Sequence, residues 1–332
     1  MESTSFTALI VEETAPKQFS RRIGRRAVAD LPSGEVLIRV AWSSLNYKDA
    51  LSATGNPGVT KNFPHTPGID AAGTVAACSD GSFPVGAEVL VTGYDLGMNT
   101  SGGFGQYIRV PSAWVVPLPD GLSLRESMAL GTAGFTAALS VLKLVAGGVT
   151  PDQGDILVTG ASGGVGSIAV ALLAKAGYRV TAATGKMAEE ELLKGLGAAA
   201  VIHRDELLQG AERPLLKERW AGVVDVVGGT TLSATLKSTR YGGTVTCCGL
   251  VASAELNVTV FPFILRGVSL LGIDSVQCPM APRRQVWQRL ATDWKLDNLG
   301  AAVHEVGLDG LEEAIRAMLA GGARGRTVVK LP

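Results

Sequence analysis

The chain has 332 residues, 46% hydrophobic and 18% charged, with 30 Lys and Arg balanced by 30 Asp and Glu. That length and apolar content suit two folded domains and exclude wholesale disorder, and zero net charge removes the usual driver of dedicated nucleic-acid binding. No unbroken apolar run reaches the roughly 18 residues of a bilayer span, and Met1-Glu2-Ser3-Thr4-Ser5 lacks the layout of a secretion signal. A cytoplasmic protein with no membrane and no nucleic-acid partner is expected.

Short apolar segments separated by Gly/Pro turns predict strands over 8–11, 35–41, 69–76, 88–92, 107–110 and 114–116. From Ser123 the character changes, and 124–144 reads as a helix interrupted by Gly131 and Gly134. Six apolar runs follow, at 156–159, 179–183, 200–202, 223–227, 244–248 and 268–271, with helical stretches between them. Apolar runs without alternation mark strands buried on both faces, and helical crossovers imply a parallel sheet. The expected fold is therefore α/β: a β-rich domain over 1–125, completed by 276–332, and a doubly wound, six-stranded Rossmann domain over 126–275. Helices over 283–294 and 311–319 and a last strand over 327–330 return the chain to the β-rich domain. The cysteines, Cys78, Cys247, Cys248 and Cys278, form no C-x-x-C pair, so neither a disulfide scaffold nor a structural zinc lobe is expected. The adjacent Cys247 and Cys248 read as buried small hydrophobes.

Between a predicted strand at 156–159 and a predicted helix at 164–176 lies Gly160-Ala161-Ser162-Gly163-Gly164-Val165-Gly166. Ala161 replaces the first glycine of G-x-G-x-x-G. Gly163 still admits a close pyrophosphate, and Gly166 still lets helix pack on strand. The strand before and the helix after make this a dinucleotide site, with the pyrophosphate on the N–H groups of the helix start. A carboxylate ending the second strand would hold the ribose 2′-hydroxyl of NADH. Here the strand ends Thr184-Gly185-Lys186, and Arg204 follows the third strand. Two cations and no acid point to the 2′-phosphate of NADPH, although a surface lysine that merely starts a helix reads the same way.

A β domain followed by a Rossmann domain, with Asn46-Tyr47-Lys48-Asp49, Pro67-Gly68-Ile69-Asp70-Ala71-Ala72-Gly73, Gly131-Thr132-Ala133-Gly134 and the glycine loop in order, resembles the medium-chain dehydrogenase/reductase superfamily. The short-chain alternative fails, because no tyrosine is followed by lysine four residues later. The first domain would then be GroES-like. Zinc members carry a catalytic cysteine about where Asn46 stands and a histidine where Ile69 stands, so the resemblance implies metal-free chemistry. His65, His203 and His304 are far apart in sequence, and His65 reads as a surface or packing residue. The strings Trp42 to Ala50, Tyr241-Gly242-Gly243, Cys248-Gly249-Leu250, Pro262 to Gly267 and Gly272 to Val276 are similar to the quinone oxidoreductase subgroup of YhdH/YhfP type, which includes NADPH-dependent acrylyl-CoA reductases.

That resemblance implies hydride transfer from NADPH to an activated C=C bond of an enoyl-CoA or enone, in a homodimer paired through the Rossmann sheet edge. Such chemistry creates an enolate, which needs an oxyanion donor and a proton source. Tyr47 suits either role or simple cofactor packing. Asn46 and Asp49 flank it, and Asp49 reads first as a helix cap and second as an orienter of Asn46 or Lys48. Thr132 is either a partner for the nicotinamide amide or a cap. The expected cofactor contacts are Tyr47, Thr132, Ser162, Gly163, Gly164, Val165, Gly166, Thr184, Gly185, Lys186 and Arg204. By resemblance Leu250, Ile264, Ser275 and Arg324 join them. Two other readings stay open: an NADPH:quinone oxidoreductase, and a crystallin-like NADPH-binding structural protein without turnover. Whether Arg109, Arg266 or Arg324 gather to receive the 3′-phosphate of CoA is not legible in the sequence.

Overall fold

The computed structural model describes residues 4–297 and 299–332 and divides into two compact units. One unit comprises Met1–Thr132, Val276–Thr292 and Val303–Pro332, and the other Ala133–Ser275 and Asp293–Ala302.

In the first unit, β1 (Ser5–Ala15) and β2 (Gln18–Ala27) form an antiparallel hairpin. A seven-stranded sheet follows, built from β3 (Val36–Leu45), β4 (Asp70–Cys78), β5 (Glu88–Thr92), β6 (Tyr107–Val110) and β7 (Val116–Pro117), with two strands from the carboxyl-terminal part of the chain. β3 is central, with Arg39 as its exposed residue and Val36, Ile38 and Val40 in the core. It pairs antiparallel with β4, with β6 and with the last strand of the chain. The strand expected at 114–116 starts later. Ser112–Trp114 is a 3-10 turn, and pairing begins at Val116.

A six-residue helix, α1 (Tyr47–Ser52), leaves β3, and α2 (Leu124–Ala146) leads toward the second unit. α2 breaks at Gly131 alone, where φ is 54° and ψ −156°. It is long and apolar enough, by length and composition, to cross a membrane, which amends the sequence expectation. Its Ala, Leu, Val and Phe residues raise the mean hydropathy, while interspersed Gly, Ser and Thr break up any continuous apolar run. However, 78% of its apolar window is buried inside the fold, as in the core helix of a globular domain.

The second unit holds β8 (Ile156–Val158), α3 (Gly164–Lys175), β9 (Val180–Thr184), α4 (Glu190–Gly195), β10 (Ala200–His203), β11 (Trp220–Asp225), α5 (Gly229–Ser238), β12 (Thr239–Cys247), α6 (Phe261–Arg266) and β13 (Ser269–Gly272). Its strands lie in the order β10-β9-β8-β11-β12-β13, all parallel. This is the doubly wound arrangement expected from the apolar runs. The chain winds outward from β8 through β9 to β10, then returns to β11 on the other side of β8. The order therefore reverses between β8 and β11, and in such sheets ligands bind beyond the carboxyl ends of the strands at that point.

The chain closes with α7 (Met280–Ala291), β14 (Val303–Val306), α8 (Leu311–Leu319) and β15 (Arg326–Lys330). β15 pairs antiparallel with β3 and parallel with β14, so the last strand does rejoin the β-rich sheet.

Candidate functional site

The glycine loop occupies the reversal point of the parallel sheet. Gly160, just after β8, has φ 57°, a left-handed conformation that favours glycine. Gly163 caps α3 without a side-chain hydrogen bond, so the helix start presents backbone N–H groups. A Cβ on Gly166 would collide with the Gly160 carbonyl oxygen, which is the close helix–strand packing the motif predicts. Ser162 Oγ lies 2.9 Å from Thr184 Oγ1, and Thr184 Oγ1 also accepts from Lys186 N at 3.0 Å. Thr184 is 2% exposed, and its hydroxyl is engaged in holding the loop against the end of β9. Arg204 extends over the bare backbone of Gly185, where an added Cβ would sit 3.1 Å from its Nε. Lys186 is half-buried beside it. These residues suit a dinucleotide: open N–H groups for the pyrophosphate, and cations beyond β9 for a ribose phosphate.

In the first unit, the residues around Tyr47 form a buried polar cluster drawn from five elements, β3, α1, β4, α2 and β15. Asp49 in α1 is fully buried. Its Oδ2 accepts from Asn46 N at 2.8 Å, and its Oδ1 accepts from Ile69 N at 2.8 Å and Gly68 N at 3.2 Å. Asp49 thus does cap α1, and it also ties α1 to the start of β4. Asp70 Oδ2 receives Asn46 Nδ2 at 2.7 Å, Ser44 Oγ at 2.6 Å and Thr132 N at 2.9 Å, while Oδ1 receives Thr132 Oγ1 at 2.5 Å. Arg326 at the start of β15 donates to Asn46 Oδ1, Ser44 Oγ and the Ala129 carbonyl, and stands 3.9 Å from Asp70. The Asn46 amide is therefore held at both ends.

Burial, reinforced by the charge of Asp70, pushes the Asp49 carboxyl from 3.8 up to about 7, against the opposing pull of its hydrogen bonds. Burial likewise lowers Arg326, with Asp70 and Asp49 pulling it back up. Tyr47 itself is 50% exposed at the first position of α1. The cluster thus fixes the backbone that carries Tyr47 while leaving its ring accessible. The break in α2 has the same origin: a Cβ on Gly131 would lie 2.5 Å from Asp70 Oδ2. Asp70 occupies that space and caps the resumed helix at Thr132.

Zinc does not fit this cluster. Ile69 offers no ligand atom, the Asn46 amide is committed to Asp70 and Arg326, and both aspartates are covered by N–H and O–H donors. Among the described residues no three of His, Cys, Asp and Glu are grouped to hold a metal. His65 is a packing residue, 3% exposed, with Nε2 2.9 Å from the Gly97 carbonyl and its pKa lowered to about 4 by burial.

Leu250 and Ile264 are 69% and 68% exposed in the second unit, to which Ser275 also belongs, and Arg324 is exposed in the first. Arg266 is drawn inward instead, donating to the carbonyls of Leu216, Lys237 and Thr239 and pairing with Glu218. It braces β12, with its guanidinium committed to these partners. Sequence reasoning missed Ser44, Asp70 and Arg326. Asp70 is a charge at the mouth of an otherwise uncharged strand, and that was the available signal, whereas Arg326 opens a strand that also ends in Lys330.

Residues 32–120 match the alcohol dehydrogenase GroES-like domain, and residues 164–294 the zinc-binding dehydrogenase family. The putative quinone oxidoreductase YhfP of Bacillus subtilis is 47% identical, over 99% of this chain and 100% of that protein. Its structure with NAD bound superposes with a TM-score of 0.96, covering 99% of this chain and 100% of the other. The acrylyl-CoA reductase AcuI of Ruegeria pomeroyi is 45% identical, over 98% of each chain. The YhdH oxidoreductase of Salmonella enterica, in complex with NADP, is 45% identical with a TM-score of 0.95, covering 98% of this chain and 100% of that one.

Proposed function

Since the chain belongs to the medium-chain dehydrogenase/reductase family, in the branch of YhdH, YhfP and the acrylyl-CoA reductases, we propose that it reduces short α,β-unsaturated acyl-CoA thioesters with NADPH. The observation that carries the substrate class is the 45% identity with an acrylyl-CoA reductase over 98% of both chains. Lys186 and Arg204 beyond β9, with no carboxylate ending that strand, support NADPH over NADH.

When bound, NADPH supplies the hydride. The N–H groups at the start of α3 would hold its pyrophosphate, and Lys186 and Arg204 would neutralise its 2′-phosphate. That hydride would go to the β-carbon of the substrate, leaving negative charge on the thioester oxygen to be stabilised and a proton to be supplied at the α-carbon. Tyr47 donates its hydroxyl proton to that oxygen or relays one to carbon. Asp49 and Asn46 hold the turn from which Tyr47 projects.

The protein is proposed to act as a homodimer paired along β13, an edge of the parallel sheet beside the exposed Val260, Ile264 and Leu265. No disulfide joins its four cysteines among the described residues, which suits the reducing cytoplasm.

The name of YhfP favours a second reading, quinone reduction. NADPH oxidation with acrylyl-CoA, crotonyl-CoA and 1,4-benzoquinone, measured side by side, separates the two. Turnover of the acyl-CoA substrates is expected. Rapid turnover of the quinone alone would overturn the proposal, and none with any of the three would favour a binding protein without catalysis.

A further inference from the structure

Asp225 lies at the carboxyl end of β11 with 0% exposure, a carboxylate inside an otherwise apolar strand. Burying a charge is costly unless its hydrogen bonds are met. Here they are met by two separate turns. Oδ1 accepts from Thr159 Oγ1 at 2.8 Å, and Oδ2 accepts from Gly228 N at 2.8 Å and Val227 N at 3.3 Å. Thr159 Oγ1, its proton given to Asp225, accepts in turn from Val226 N at 3.1 Å. Thr159 is itself buried and immediately precedes Gly160.

The position of this link gives it meaning. β8 and β11 are the two strands between which the sheet order reverses, and their register runs to Val158 opposite Val224. Just past that register the two chains open into the glycine loop on one side and the Val226–Gly229 turn on the other. Their contact is tight, since a Cβ on Gly160 would lie 2.7 Å from Val226 Cγ2. The same turn anchors the chain after β12: Asp225 O accepts from Cys248 N at 3.1 Å, and Val227 O from Ala252 N at 3.0 Å.

We propose that Asp225, acting through Thr159, is a positioning residue for the glycine loop, setting the backbone N–H groups of Gly164 to Gly166 in place before any dinucleotide arrives. The inference rests on the reading of that loop as the pyrophosphate site. A carboxylate suits the task because it accepts on both sides at once. Asparagine would turn its NH2 group toward either the backbone N–H groups or the Thr159 hydroxyl, and one side of the link would lose its acceptor.

Thr159→Val keeps the shape and removes the hydroxyl, whereas Thr159→Ser keeps the hydroxyl. Two measurements on the full chain decide the matter. The first is hydrogen–deuterium exchange without cofactor. The amides of residues 160–166 should exchange at least about tenfold faster in Thr159→Val and in Asp225→Asn, with Thr159→Ser close to wild type. The second is NADPH and NADH binding followed by fluorescence. Thr159→Val should weaken both by a similar factor of roughly ten, because the pyrophosphate is common to them. Asp225→Asn combined with Thr159→Val should cost little more than either alone, since both break one link. Unchanged loop exchange in both variants would overturn the proposal, as would a Thr159→Ser protein as impaired as Thr159→Val. Failure of the wild type to bind NADPH would instead refute the cofactor reading, while the exchange measurement would still test the link.

Discussion

Replacing Arg326 with methionine tests the buried cluster beneath Tyr47. Methionine approximates the length of the side chain and removes the charge. The change takes away donors to Ala129 O at 3.1 Å, Asn46 Oδ1 at 3.1 Å and Ser44 Oγ at 2.8 Å, together with the guanidinium 3.9 Å from Asp70. Arg326 is 3% exposed and Asp70 0%, so water cannot readily replace what is lost. Removing one partner of a buried ion pair typically costs about 3–5 kcal/mol, a large share of a total stability of about 5–15 kcal/mol. Urea unfolding of wild type, Arg326→Met, Asp70→Asn and the double variant provides the cycle. The double variant should be more stable than the sum of the single losses predicts by at least about 1 kcal/mol, because it buries no unpaired carboxylate at position 70. A single loss below about 1 kcal/mol, or strict additivity, would refute the reading of the cluster as a coupled unit.

Three further outcomes are expected. Asp49 is raised from 3.8 to about 7 in the folded state, so between those values the folded chain holds a proton that the unfolded chain has released. Stability should therefore fall as pH rises through that window, and Asp49→Asn should remove that part of the slope in pH-dependent unfolding; an unchanged slope would contradict the assignment. Lys186→Ala should raise the Kd for NADPH roughly tenfold or more, with little effect on NADH, and equal losses in a fluorescence titration would remove Lys186 from the 2′-phosphate site. Tyr47→Phe should lower kcat by about a hundredfold or more with the KM for NADPH nearly unchanged, and full activity would leave the hydroxyl without a chemical role.

The parallel sheet was legible because burial on both faces writes itself as apolar runs, and the loop because its glycines answer to a backbone requirement. β2 was not, since Gln18-Phe19-Ser20-Arg21-Arg22-Ile23-Gly24-Arg25-Arg26-Ala27 has no buried residue and is held by its pairing with β1. The break in α2 was expected at two glycines and occurs at Gly131, where the Asp70 carboxylate crowds the backbone; Gly134 stays helical. Thr132 and Asn46 were singled out one by one, but Asp70, which joins them, is 24 residues from Asn46 and 62 from Thr132 in the chain. Contacts at such separations leave no periodicity to read. Their trace is a charged residue where an apolar one is expected, and Asp70 and Asp225 both fit that description.

Direct hydride transfer to the carbon–carbon double bond is the central claim, and isotope transfer tests it most directly. The protein is incubated with acrylyl-CoA and NADPH deuterated at the transferable C4 position, and the acyl-CoA product is weighed by mass spectrometry. One deuterium retained at the β-carbon of propionyl-CoA is the expected result. Propionyl-CoA without deuterium, or labelled NADPH consumed with no saturated product formed, would contradict it.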